Sequence, residues 1–227
     1  KEPKVPEDGE DPWENIEEED DAILEIPITT PKEDFTVMQN VYTYVYTDHI
    51  DWYLKFPNAT EYKISNAREL LGLAELVNGT AKNADDEPIA AVDFYGKRII
   101  LNKDIDLSKL HHSDPEVGEN WKPIGADNKK FFRGTFDGNG FRISGLKIGN
   151  SEGDGAAEGN YLGLFGYTQG TIKNLTVTGS VYGKGDYVGG IAGYSTGTIE
   201  NCYFGEVGGN SGYVSGKNYV GGMAGYS

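Results

Sequence analysis

The 227-residue sequence predicts an all-β fold: a parallel β-helix (solenoid) preceded by a small N-terminal α/β cap. Two interleaved repeats and a lopsided glycine content predict it. Residues 1–133 hold 6 glycines and residues 134–227 hold 26, a shift that marks a change of architecture within one chain. A period between about 20 and 50 residues signals stacked units, none of which buries its apolar face alone.

The first repeat is an apolar skeleton. It runs through Gly140-Phe-Arg-Ile-Ser-Gly-Leu-Lys-Ile148, Gly170-Thr-Ile-Lys-Asn-Leu-Thr-Val177 and Gly197-Thr-Ile-Glu-Asn-Cys-Tyr-Phe204, in steps of 29 and 27 residues. These units are too glycine-rich for helices, where each internal glycine costs about 1 kcal/mol relative to alanine. Short β-branched runs ending at glycines suit strands joined by tight corners. Stacking predicts one internal ladder of Ile143, Ile172 and Ile199, with neighbours about 4.8 Å apart. The odd spacing Ile-x-x-Leu demands a bend between the two, assigned to Asn174 and Asn201, and to Gly145 in the first unit. Asparagine tolerates such corners and can bond along a stack. Cys202 stands in the place of Leu175 and is expected as a small buried hydrophobe.

The second repeat reads Tyr161-Leu-Gly-Leu-Phe-Gly-Tyr167, Tyr187-Val-Gly-Gly-Ile-Ala-Gly-Tyr194 and Tyr219-Val-Gly-Gly-Met-Ala-Gly-Tyr226. Tyr161, Tyr187 and Tyr219 should stack on one line, and Tyr167, Tyr194 and Tyr226 on another. Stacked rings stabilise neighbouring units. Exposed, they would form a linear platform for a glycan or an extracellular protein, which makes these six the candidate ligand-binding residues.

Upstream, residues 98–107 alternate, with Ile99, Leu101, Ile105 and Leu107 on one side. Residues 66–78 carry a helix signature. Asn66 is a good N-cap, Glu69 completes a capping box, and Gly79 is the stop. Ala67, Leu70, Leu71, Ala74 and Val77 form its expected apolar face. The first unit of a stacked array exposes its cross-section, and covering it is the task assigned to this helix. Residues 35–47, rich in Val, Tyr and Thr, read as one or two strands. Residues 1–35 carry 14 Asp or Glu against 3 Lys. The resulting division is an acidic flexible tether over 1–33, N-terminal strands and capping helix over 34–97, and the parallel β-helix over 98–227.

These pieces resemble the GLUG motif, named for its Gly-Leu-any-Gly core, in the three Tyr-to-Tyr segments just quoted. Glu61 to Leu70, Ile99 to Leu107, Trp121 to Gly125 and Gly134 to Gly140 are similar to what precedes such repeats in bacterial surface proteins. The resemblance covers residues 52–227. It implies a right-handed parallel β-helix in a secreted or surface-anchored bacterial protein, adhesin-like or beside the protease domain of immunoglobulin A peptidases. It implies no catalytic residues for the repeats.

The formal charge of −16 includes only −5 from residues 36–227, and no Lys/Arg cluster tracks a phosphate backbone, so nucleic acid is not an expected partner. No run of 18 apolar residues occurs, so no transmembrane segment is expected. The chain opens at Lys1 and stops within a repeat. The expectation is therefore a monomer cut from a longer protein, with a lipid anchor upstream as one mode of attachment. No cofactor or metal is expected. His111, His112, Asp114 and Glu116 lack ligand spacing, since adjacent residues of an extended chain diverge. Asp137-Gly-Asn-Gly140 lacks a calcium loop's remaining ligands and reads as a tight turn. Asp104 and Asp106 share a face, the only arrangement inviting acid–base chemistry of a carbohydrate-active enzyme. The sequence thus points to a non-catalytic recognition or adhesion module at the bacterial cell surface, with a spacer for a further C-terminal domain as first rival.

Overall fold

The computed structural model describes residues 49–110, 120–150, 153–205 and 212–227. The chain divides into two units, Lys1–Met38 and Gln39–Ser227, and the described residues belong to the second. The expected tether and the strands expected over 35–47 lie outside the described residues, as do His111, His112, Asp114 and Glu116.

Two helices open the described part. Helix α1 is a single turn, Asp51–Leu54. The strand β1, Glu61–Ile64, leads into α2, Ala67–Asn78. The Asn66 side chain accepts from the Glu69 N–H, satisfying one of the helix's four unpaired donors. Glu69 returns the bond to the Ser65 N–H at 2.6 Å, one residue before the partner expected of a capping box. Gly79 ends the helix in the left-handed conformation at φ +63°. The buried face comprises Ala67, Leu70, Leu73, Ala74, Leu76 and Val77, while Leu71 is only half-buried. It is therefore wider than the expected stripe, and it joins the same core as the strands.

The rest is strand. After β1 come β2 (Arg98–Leu101), β3 (Ile105–Asp106), β4 (Thr135–Asp137) and β5 (Arg142–Ile148). Then follow β6 (Phe165–Thr168), β7 (Thr171–Lys173), β8 (Thr176–Tyr182), β9 (Asp186–Gly189) and β10 (Ala192–Ser195). The last are β11 (Thr198–Glu200), β12 (Tyr203–Phe204), β13 (Tyr213–Ser215), β14 (Asn218–Gly221) and β15 (Ala224–Tyr226). The protein is mostly β-strand, and every pairing among these strands is parallel. One sheet runs β1-β2-β4-β7-β11, a second β3-β5-β8-β12 with β13 also on β8, a third β6-β10-β15, and a fourth joins β9 to β14. Apart from β1 and β2, which are joined through α2, neighbours in a sheet are never consecutive strands in sequence. Among the described residues no helix is long and apolar enough to cross a membrane.

Register explains the core. In the first sheet Tyr62, Ile99, Phe136, Ile172 and Ile199 form one row, all but Ile199 fully buried. In the second, Ile105, Ile143, Val177 and Phe204 form another. An aromatic spine ties the sheets together. Phe132 meets Phe165 at 5.4 Å between ring centres, and Phe165 meets Phe136 edge-on at 5.3 Å.

The expected ladder of Ile143, Ile172 and Ile199 is half right. Ile172 lies over Ile199, but the residue on its other side is Phe136, while Ile143 pairs with Val177. The reason is the length of one corner. Seven positions separate Phe136 from Ile143, against five between Ile172 and Val177. The longer turn shifts the apolar pattern so that an Ile-x-x-Leu-x-Ile run falls in the wrong frame. The corners at Asn174 and Asn201 are as expected, in the left-handed region at φ +52° and +50°. In the earlier unit Gly145 is also left-handed, at φ +72°, at a register irregularity between Ile143 and Leu146, and Asn139, at φ +54°, adds a second such position.

Removing the centre of a buried row leaves a cavity between two fixed neighbours. Ile172→Ala should cost about 2–5 kcal/mol. Ile199→Ala, at a half-buried position of the same row, should cost distinctly less. Urea unfolding with circular dichroism measures both, and the reverse order would show that the row is not the core.

Candidate functional site

The repeat that begins and ends with tyrosine places all six candidate residues in one cluster. Tyr161, Tyr187 and Tyr219 each take the left-handed backbone conformation, at φ +61°, +62° and +53°. That conformation is uncommon for a bulky residue and costs of order 1–3 kcal/mol. Nothing in the amino-acid pattern announces it. What it requires is visible in Gly193. A β-carbon there would sit 2.6 Å from the Tyr187 carbonyl oxygen and 2.6 Å from the Tyr161 carbonyl carbon. The glycine before the closing tyrosine therefore admits the turned backbone of the opening one.

The two lines form as expected. Tyr161 and Tyr187 stack at 5.2 Å and 7° between planes, and Tyr187 and Tyr219 at 4.8 Å and 8°. Tyr167 and Tyr194 stack at 4.7 Å and 23°, Tyr194 and Tyr226 at 4.7 Å and 4°. The lines also meet each other edge-to-face, with Tyr187 against Tyr194 at 5.2 Å and 86°. Ring faces are thus covered along each stack. Tyr219 and Tyr226 are 54% and 45% exposed, and the other four are half-buried.

The hydroxyls behave differently from the rings. None of the six has a hydrogen-bond partner among the described residues, yet no buried side-chain oxygen there lacks one. The hydroxyls of the half-buried four therefore reach solvent. Burial pushes the Tyr187 and Tyr194 hydroxyls above their ordinary range, and the surrounding tyrosines push the same way. The cluster presents water with phenol groups, donors and acceptors at once, on rings stacked 4.7–5.2 Å apart along each line. A further stack, Tyr182 on Tyr213 at 4.8 Å, escaped the sequence reading because no shared motif frames those two tyrosines.

A second arrangement was also not legible. Asp137 is 4% exposed and forms the foot of an amide ladder. Asn174 donates its Nδ2 to Asp137 Oδ1 at 3.0 Å, and Asn201 donates its own to Asn174 Oδ1 at 3.3 Å. The Asn139 N–H and Arg98 Nη2 reach the same carboxylate at 2.9 and 2.7 Å, with Lys173 Nζ 3.7 Å away. Burial alone would raise the Asp137 carboxyl, but hydrogen bonds from Asn174, Arg98 and Asn139 outweigh it and hold the group below its ordinary range. The Asp137-to-Gly140 segment is the tight turn expected, built around this carboxylate.

The remaining candidates stand apart. Asp104 Oδ1 accepts from the Arg142 N–H at 2.8 Å, and Asp106 Oδ1 accepts from the Ser108 N–H and hydroxyl at 3.0 and 2.7 Å. Both carboxylates are thus engaged in holding backbone. Cys202 is half-buried rather than buried, 3.2 Å from the Glu200 carbonyl, and burial raises its thiol. Among the described residues no three His, Cys, Asp or Glu side chains gather as a metal would need.

No family model matches the chain, and no solved structure matches it. Two curated proteins do. A "putative Gly-rich membrane protein" of Evansella cellulosilytica is 40% identical over 111 residues, 47% of this chain and 12% of that protein. "Halomucin" of Haloquadratum walsbyi is 36% identical over 132 residues, 58% of this chain and 1% of that protein. The matching segment is thus a small part of each relative's length.

The Asp137 carboxylate gives a pH signature. Its folded-state pKa is depressed, so its contribution is full above the unfolded value of about 4 and disappears as pH falls through the folded value. Asp137→Asn should therefore be less stable than the parent at pH 7, by about 1–3 kcal/mol. The gap should close below about pH 4. Urea midpoints at a series of pH values measure it, and a gap that stays constant down to the acid end would rule the ladder out as its source. A steric signature sits at Gly193. Gly193→Ala forces backbone to move and should lower the melting temperature more than Gly222→Ala, where an added β-carbon meets nothing within 4 Å.

Proposed function

We propose that the chain is a non-catalytic recognition module displayed outside the cell, built on a right-handed parallel β-solenoid of GLUG-like repeats. In this reading residues 98–227 form the solenoid, residues 34–97 cap its first unit, and the acidic residues 1–33 tether it to the surface. The all-parallel pairing of strands far apart in sequence supports the solenoid. The relatives named as a Gly-rich membrane protein and as halomucin support a place at the cell surface.

One observation carries the recognition reading: the row of solvent-facing tyrosine hydroxyls on a rigid ring stack. A rigid aromatic with a polar end loses little entropy on binding and bonds to polyhydroxylated or amide ligands through its edge. The ligand would be a glycan or an extracellular protein laid along the two lines. The second reading, a spacer that displays a neighbouring domain, draws on the ring faces being occupied by one another rather than free.

Substitution by phenylalanine separates the two, because it deletes the hydroxyl and keeps the stack. The Tyr161→Phe, Tyr187→Phe, Tyr167→Phe, Tyr194→Phe variant should melt within a few degrees of the parent. Its binding on a glycan array and to immobilised extracellular matrix proteins should fall at least about tenfold, the loss of 1.4 kcal/mol or more expected when several hydrogen bonds go. Parent and variant binding equally well, or neither binding at all, would leave the spacer reading standing.

A further inference from the structure

The residues that precede the first tyrosine line form a polar row of their own. Asn160, Asp186 and Asn218 stand immediately before Tyr161, Tyr187 and Tyr219. The Asp186 N–H donates to Asn160 Oδ1 at 2.8 Å, and Asn218 Nδ2 donates to Asp186 Oδ1 at 2.8 Å. A β-carbon at Gly185 would run into the Gly159 carbonyl and the Asn160 carboxamide, so the glycine makes room for that side chain. The stack thus holds one carboxylate between two carboxamides, directly beside the phenols.

That carboxylate is only half used. Asp186 is half-buried, and its Oδ2 accepts no hydrogen bond among the described residues. Asn160 and Asn218 flank it along the stack, so a longer array would leave this oxygen as it is. Nor is its charge cancelled. Lys184 is tied to Glu158 at 2.7 Å, and Lys217, whose N–H donates to the Gly185 carbonyl, makes no ion pair among the described residues. The neighbouring phenol lies within reach of that charge. Burial, then the Tyr219 and Tyr161 phenols, push the Tyr187 hydroxyl up, and Asp186 adds to them.

Phenols and carboxamides donate as readily as they accept, so they select no ligand by polarity, whereas a carboxylate accepts only. Asp186 therefore decides what a ligand must bring to this point of the line: donors, and no negative charge. The ring faces cover one another, so the surface has little of the apolar centre on which a protein partner would pack. We infer that Asp186 is a specificity-determining residue of the tyrosine site, and that the site takes a neutral polyhydroxylated chain, a glycan free of uronate, sulfate and phosphate groups where it crosses the first line. This rests on the recognition reading and narrows its ligand, a glycan or a protein, to one chemical class. Ligand hydroxyls would give Asp186 charge-assisted bonds, which are the stronger kind. An anionic group brought within a few ångströms of it would be repelled.

The test offers the full chain several neutral polysaccharides (cello-oligosaccharides, starch oligomers and pullulan), each beside the same polymer oxidised at its primary hydroxyls to uronates. Immobilised extracellular matrix proteins form the third arm. A neutral polymer should bind, and its oxidised counterpart should bind at least about fivefold more weakly. Asp186→Asn keeps the shape of the side chain and removes its charge. It should weaken binding of the neutral polymer by about tenfold and erase the difference between the two polymers, with a urea midpoint close to the parent's. Glu200→Gln, which removes a carboxylate from another sheet, should change neither. Oxidised polymer binding as well as neutral, or an Asp186→Asn variant that binds and discriminates like the parent, overturns the inference and leaves the recognition reading in place. Binding to the matrix proteins alone has the same consequence. If the parent binds nothing in any arm, the recognition reading falls and takes the inference with it.

Discussion

The rows and stacks described depend on parallel pairing of segments 27 to 38 residues apart. In such pairing each residue lies over its counterpart at the strand spacing of about 4.8 Å, so whatever one repeat presents the next must match. Apolar residues gain from this, because rows such as Ile99, Phe136 and Ile172 bury one another. Rings gain as well, since the spacing is close to a stacking distance. Charges lose. Like charges in a row would sit within about 5 Å of one another. The outward row of the first sheet answers with alternation: Asp137, Lys173 and Glu200 follow in order of opposite sign.

The same constraint decided what could be read from the sequence. Motifs whose spacing is held by backbone geometry were legible. Tyr161 to Tyr167 and Tyr187 to Tyr194 are framed by glycines that cannot carry side chains, so their register is unambiguous. Helix α2 was legible from Asn66, Glu69 and Gly79, whose roles are local. The Ile143 row was not. A skeleton of three apolar residues recurs easily by composition, and a corner longer by two residues after Asp137 moves the strand without changing the pattern. Asp137 was missed for another reason: its significance lies in partners 37 and 39 positions away, Asn174 and Arg98, and in burial that a short Asp-Gly-Asn-Gly turn does not advertise. Cys202 was assigned by counterpart to Leu175, and counterpart status fixes position, not how much neighbouring chain covers it.

The tyrosine clusters show how a local cost is sustained by a repeated gain. Each opening tyrosine holds a left-handed backbone that an isolated peptide would avoid. The conformation survives because the turned backbone fits against a glycine such as Gly193 and because each ring it orients contacts two to four others. Tyr187 alone meets Tyr161, Tyr219, Tyr194 and Tyr226. The glycine and the tyrosine are thus one device, and neither has a reason to recur without the other.

On the recognition reading proposed, this economy constrains what the surface could bind. An aromatic platform of the usual kind offers ring faces, and here the faces are consumed in holding the stack together. What reaches solvent is a row of edges and hydroxyls at a fixed period, with directional hydrogen bonding and little apolar area. Such a row suits a ligand that is itself extended and periodic, since a compact ligand would engage one or two hydroxyls and gain little over water. Affinity would then grow with ligand length rather than with the quality of any single contact. On the recognition reading, the stability of the array and the selectivity of its surface would both follow from one spacing, set by the hydrogen bonds between parallel strands.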